Sequence, residues 1–180
     1  MDKNKMLERR FREGMRYLYD EEFKAEKQRI FEMKEQYRDL PIKDWPDFTV
    51  RWSLEKADQH YAFDGLDPES FFEEYPEGLR VIESVKIAEL DDRLHSVSRQ
   101  HPDEFWKIGW VGSKAEIILH FVENKALTPP LVCIHNGNLL YIGGGNQRLA
   151  VARAKGEEAI PILVKPSEYD KVIDILNCRS

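Results

Sequence analysis

Apolar positions fall into three regimes along the 180-residue chain. From Lys5 to Arg38 there is no proline, and Gly14 is the only glycine. Met6, Leu7, Phe11, Met15, Leu18, Phe23, Ile30, Phe31 and Met33 recur there near helical spacing. Asp20 interrupts the stripe, so two helices (about 4–19 and 20–38) or a single one satisfy the pattern. Such an arm cannot bury its apolar stripe by itself. Packing on the rest of the chain is the expectation for residues 1–38, and a homodimer or partner contact through the arm is the alternative.

Residues 39–79 lose that period and become an aromatic, turn-punctuated connector, with Trp45, Phe48, Trp52, Tyr61, Phe63, Phe71, Phe72 and Tyr75 among prolines and glycines. Ser53 is placed to cap a short helix toward Gln59, and Asp67 to cap one that begins at Pro68. The aromatics are expected to anchor the connector to a core. Stacking of Trp45, Trp52 or Tyr61 on a base is the sharper alternative.

From residue 80 onward the pattern is that of a mixed domain. Val81, Val85 and Ile87 alternate with polar residues through Leu90, as in a first strand. Phe105 to Gly112 carries two tryptophans with Gly109 and Gly112, as a mobile lid or a core edge, ahead of a helix over 113–124 with Ser113 as its cap. A strand over Leu131 to Ile134 meets His135-Asn136-Gly137-Asn138, where Asn-Gly signals a two-residue hairpin turn, and a second apolar run ends in three glycines. A short helix closed by Gly156, a strand over 159–164 and a final helix with Ser167 and Asp170 as capping pair complete the order. The fold class is therefore α+β: a small mixed-sheet domain over 80–180 with a helical N-terminal extension and the packed connector.

Composition narrows the functional classes. With 42% hydrophobic and 33% charged residues, the chain has enough apolar material for a core. No run approaches the roughly 20 apolar residues of a membrane span, and the N-terminus is too charged for a signal peptide, so a cytoplasmic protein is expected. Cys133 and Cys178 do not form a disulfide framework, and five scattered histidines show no zinc-ligand spacing. Charge is uneven: residues 1–38 are +2, residues 39–104 are −10 and residues 105–180 are +2. The acidic middle disfavours a phosphate backbone as partner. The basic cluster Lys3, Lys5, Arg9, Arg10, Arg12 and Arg16 is a solvated helix face or an arm for nucleic acid or an acidic partner.

The densest chemistry lies in Gly143-Gly144-Gly145-Asn146-Gln147-Arg148. Glycines between a strand and a helix start let the backbone approach a ligand, and the free N–H groups with the helix dipole favour an anion. Arg148 adds a forked donor suited to phosphate. The alternative is a glycine turn whose arginine serves the structure. The spacing is neither that of a dinucleotide fold nor that of a P-loop.

The order of helix, Leu127-Thr128-Pro129-Pro130 link, hairpin, Gly145-Asn146-Gln147-Arg148 with Leu149 and Ala150, Gly156 and the Ile160-Pro161-Ile162 strand resembles the ParB/sulfiredoxin superfamily over roughly residues 80–165. The resemblance implies a nucleotide pocket. Gly144, Gly145, Asn146, Gln147 and Arg148 would contact phosphate, and Lys114 would approach the nucleotide from its helix. The family pattern also puts a loop after Asp91-Asp92-Arg93 near the nucleotide. Glu89, Asp91 and Asp92 are then the candidate general base or metal-phosphate carboxylates, against solvation of a strand end with Arg93 as partner. Arg99 is a second candidate phosphate donor. Sulfiredoxins carry Cys-His where this chain has Asn146-Gln147, which removes sulfinic-acid reduction. The implied function is binding of ATP or another nucleotide with Mg2+, with phosphoryl transfer to a small-molecule or nucleic-acid acceptor, or hydrolysis. A nucleotide-regulated DNA-associated adaptor and a ParB-like nuclease are the alternatives.

Overall fold

The computed structural model describes residues 11, 15, 18–63, 66–99 and 102–177. The helix expected over 4–19 thus lies largely outside the described residues, of which Phe11, Met15, Leu18 and Tyr19 are helical. Asp20 separates that run from α1 (Glu21–Lys34). Its backbone is extended and its carboxylate accepts from Phe23 N at 2.9 Å, a side-chain cap that starts a new helix. Glu21 and Glu22 in the first turn and Lys34 in the last suit the helix dipole.

The remaining elements are α2 (Pro68–Glu74), β1 (Arg80–Lys86), α3 (Ile87–Arg93), α4 (Val111–Val122), β2 (Leu131–Ile134), β3 (Leu140–Gly144), α5 (Asn146–Lys155), β4 (Ala159–Val164) and α6 (Tyr169–Asn177), with short 3-10 turns between them. The four strands form one mixed sheet in the order β1-β4-β2-β3. β1 with β4 and β2 with β3 are antiparallel, while β2 and β4 run parallel. The fold is α+β. Among the described residues no helix is long and apolar enough to cross a membrane.

Alternation along the strands splits the apolar side chains between two cores. Val132, Ile142, Ile160, Ile162 and Val164 face one way and pack with Ile118, Phe121 and Leu149 from α4 and α5. Leu131, Cys133 and Leu163 face the other way, where Ala62, Phe71 and Leu79 cover them and Phe63, Tyr75 and Tyr141 lean in. The second half of the connector, from Ala62 to Leu79, is thus the second covering layer of the sheet, while Phe48 and Val50 of its first half join the core with α4 and α5. Trp45 and Trp106 both donate their indole N–H to Leu40 O, at 3.0 and 2.8 Å, and Trp52 packs edge-on against Phe121.

Four local expectations are corrected, the first being the Ser113 cap: α4 begins at Val111, with Trp110 at its N-cap position and no side-chain cap bond. β1 ends at Lys86, and Ile87–Arg93 is helical. Ile87, Leu90 and Leu94 are all buried at helical spacing, and the same Ile87 also completes the strand-like alternation. The hairpin is not a two-residue turn: His135 N donates to Leu139 O at 2.8 Å, which leaves Asn136-Gly137-Asn138 as a three-residue loop with Gly137 at φ +65°. Ser53 does not cap a helix over 53–59: the helical turn is a 3-10 segment over Lys56–Ala62, with Glu55 at its N-cap position and no side-chain cap bond. Asp67 does cap α2, accepting from Ser70 N at 3.1 Å.

Helix α1 packs against α4. Ile30 is buried there, and the polar seam is ionic: Arg29 donates to Glu26 and Glu123, Lys125 sits 2.9 Å from Glu123, and Lys34 reaches Glu116 at 3.0 Å. Hydrogen bonds from Arg29 first, with Lys125 adding to them, bring the Glu26 and Glu123 carboxyls down from 4.5 to about 2. Folded values below the unfolded value mean the stabilisation is complete above about pH 4.5 and is lost as the pH falls toward 2. Acidification through that window at low salt is expected to lower hydrogen-exchange protection of α1 relative to β4, after correction for intrinsic exchange. High salt should shrink the effect, because these side chains are partly exposed to solvent. Unchanged relative protection at pH 2 would mean that apolar packing alone holds α1.

Candidate functional site

β3 runs into the glycine loop, and Gly145 turns the chain into α5. Gly145 is at φ +85°, and a Cβ there would lie 2.9 Å from Arg148 Nη2 and 3.0 Å from Pro130 Cα, so only glycine suits the position. The first intrahelical bond is Leu149 N to Gly145 O at 3.0 Å, which leaves the N–H groups of Asn146, Gln147 and Arg148 at the helix mouth. Gly156 at φ +87° closes α5, its N–H reaching Ala152 O and Arg153 O.

The helix mouth opens into a cleft of about 920 Å³. One wall is the α4 stripe Ser113, Glu116, Ile117 and His120, and the facing wall is the α1 stripe Phe23, Glu26, Lys27 and Ile30. Both stripes have the i, i+3, i+4, i+7 spacing of a single helix face. Asp58, Tyr61, Leu127 and Thr128 form the third side, with Trp110 beside the glycine loop. Tyr61 and Trp110 are 62% and 80% exposed, so two aromatic faces are available to a ligand. Glu26 and Glu116 are each matched by a cation of the α1–α4 seam, which tempers the negative charge of the walls. Burial holds the His120 imidazole below its usual pKa and so in the neutral form.

Gly144 ends β3, and Gly145, Asn146, Gln147 and Arg148 line the cleft. Arg148 has another task than the one expected. It is 8% exposed and its guanidinium donates to Thr128 O and, at 3.1 Å, to Tyr61 O. The fork that would hold phosphate instead ties the Thr128 segment and the connector to the loop. Lys114 is also reassigned. It is fully buried, its ammonium donates to Phe105 O and to Ile108 O at 2.6 Å, and it lies 4.5 Å from the Phe105 ring centroid. Desolvation lowers its pKa. It braces the Phe105 to Trp110 loop, whose first half is core and whose end borders the cleft.

Glu89, Asp91 and Asp92 are not brought to this cleft. All three lie on α3. Asp91 forms a two-pronged pair with Arg153, and Glu89 pairs with Lys86 at 2.9 Å. Asp91 and Asp92 line a second cleft with Arg99, Glu104 and Arg153. Arg153 is seven residues beyond Asn146, so this cleft sits about 10 Å along α5 from its mouth. Arg99 donates to Leu94 O at 2.7 Å and pins the segment after α3. The wall residues of α1, and Glu116 and His120 of α4, were not singled out from sequence. Their only signal was the helical spacing, which also serves a helix packed on a core. No protein-family model, curated protein or solved structure matches the chain.

Proposed function

We propose that the chain binds a nucleoside phosphate in the cleft at the mouth of α5. The phosphates meet the N–H groups of Asn146 and Gln147, and the base lies against Trp110 and Tyr61. The observation that carries this reading is the opening of the glycine-started α5 into a cleft of about 920 Å³ bordered by two exposed aromatic rings. Anion binding at a helix start and ring stacking of a base are independent chemistries, and a nucleotide uses both. The volume is within the range of small-ligand sites. The ParB/sulfiredoxin-like order of elements supports the same ligand class, with Mg2+ entering on the phosphates. Binding, rather than phosphoryl transfer by Glu89, Asp91 or Asp92, is the reading the geometry supports, because Asp91 and Asp92 line the other cleft and Glu89, on the same helix, pairs with Lys86.

Calorimetry with ATP, ADP, CTP and GTP in the presence of Mg2+ is expected to show saturable binding to at least one of them. Trp110→Ala should weaken it by about 5- to 160-fold, the range for one base stacked on an aromatic ring, and leave pyrophosphate binding unchanged. The variant tests the ligand and not the fold, since Trp110 is 80% exposed. No binding of any of the four at millimolar concentration overturns the reading. Chromatography of ATP incubated with the protein and candidate acceptors separates a binder from an enzyme: consumed ATP would restore phosphoryl transfer.

A further inference from the structure

Among the described residues, two buried side-chain polar atoms have no protein partner, His120 Nδ1 and Gln147 Oε1. Both residues line the cleft at the mouth of α5, His120 from the last turn of α4 and Gln147 from the first turn of α5. A polar atom buried without a partner is costly, and native structures retain few of them. Their coincidence in one cleft calls for a shared cause.

The atoms want the same kind of group. Gln147 Oε1 is an acceptor. For His120, Nε2 faces the Glu116 carboxylate at 3.9 Å, which favours the proton on Nε2 and leaves Nδ1 as an acceptor too. The low pKa that burial imposes keeps the ring neutral, so the acceptor persists. Gln147 begins α5, one residue from the loop that would take a phosphate. Its amide is also positioned closely: Gly109, at φ +81°, packs so near that a Cβ there would collide with Gln147 Nε2. The last torsion of a glutamine is soft, so its oxygen can turn toward a ligand without moving the helix.

We infer that His120 and Gln147 read hydroxyl donors of a sugar, which makes the ligand a ribose phosphate in its ribonucleotide form. This rests on the nucleotide reading of the cleft and deepens it, because an anion site alone leaves both acceptors unused. A ribose attached to the phosphate brings two hydroxyl donors beside the helix mouth, while a dideoxyribose brings none. A site that hydrogen-bonds a hydroxyl discriminates strongly against the ligand that lacks it.

The experiment is calorimetry of the full chain with ATP, 2′,3′-dideoxy-ATP, ribose 5-phosphate and pyrophosphate. The wild-type protein is expected to bind ATP at least about tenfold more tightly than the dideoxy analogue. His120→Phe and Gln147→Leu should each erode that ratio, and His120→Asn, which keeps an acceptor near the Nδ1 position, should retain it. Circular dichroism reports whether each variant folds, and the wild-type ratio decides the matter even if one does not. Equal binding of ATP and the dideoxy analogue overturns the inference and leaves the nucleotide reading standing, with the two atoms served by buried water. Ribose 5-phosphate binding as tightly as ATP supports the inference and removes the base from recognition. Failure of all four ligands removes the nucleotide reading and this inference together.

Discussion

Replacing Arg148 with alanine is expected to destabilise the fold by about 3 kcal/mol, and not merely to weaken a ligand. The guanidinium donates to Thr128 O and to Tyr61 O and is 8% exposed. A hydrogen bond to a charged group contributes roughly 1.5–3 kcal/mol, and its loss here strands a buried carbonyl. The connector and the link before β2 would lose their common tie at the glycine loop. For a chain of this size the cost corresponds to a fall in melting temperature of about 6–12 °C. Urea unfolding followed by far-UV circular dichroism measures it. A variant as stable as wild type, with phosphate affinity lost, would return Arg148 to the role its place in the loop suggests.

Phe71→Ala is expected to cost about 3–5 kcal/mol, the range for an aromatic removed from a core. Phe71 is fully buried on α2, with Phe63, Phe72 and Tyr75 around its ring and Leu131, Cys133 and Leu163 in the same core. If residues 39–79 were a tether, the change would be nearly silent. Because residues 62–79 cover one face of the sheet, the variant should unfold at distinctly lower urea and expose β2 and β4 to proteolysis. Stability within about 0.5 kcal/mol of wild type, the usual size of a surface change, would show that the second core is dispensable.

Elements with local punctuation were legible in the sequence. Asn146 to Gly156 announces its own start and stop, Asp67-Pro68 caps α2, and the β2 and β3 apolar runs around Asn136-Gly137 pair as a hairpin. What failed locally was ambiguity of period: Val85 and Ile87 fit an alternating strand, and Ile87, Leu90 and Leu94 fit a helix face. The site was legible only in its backbone. Arg148 and Lys114 carry their charge at the end of long stems, and the destinations of those stems are carbonyls on distant segments. Tyr61 is 87 positions from Arg148, and no window around the glycine loop contains it. The α1 wall is still farther away, since Phe23 and Ile30 meet the loop only after α1 has docked on α4. Asp91 and Asp92 are expected near the loop because the ParB/sulfiredoxin pattern puts the segment after them beside the nucleotide. The three-dimensional position of Arg153 directs Asp91 to the other end of α5.

The strand order has a temporal consequence. β4 is the last strand of the sheet in chain order, yet it lies between β1 and β2, so that Arg80 pairs with Val164 and Val132 also meets Val164. During synthesis the β2–β3 hairpin forms from neighbours, while β1 waits unpaired and the inner edge of β2 stays open. Closure of the long loop between β1 and β4 must precede any reward from their pairing, which slows folding. Until β4 has been made and released, the nascent chain presents two unsatisfied strand edges to its surroundings.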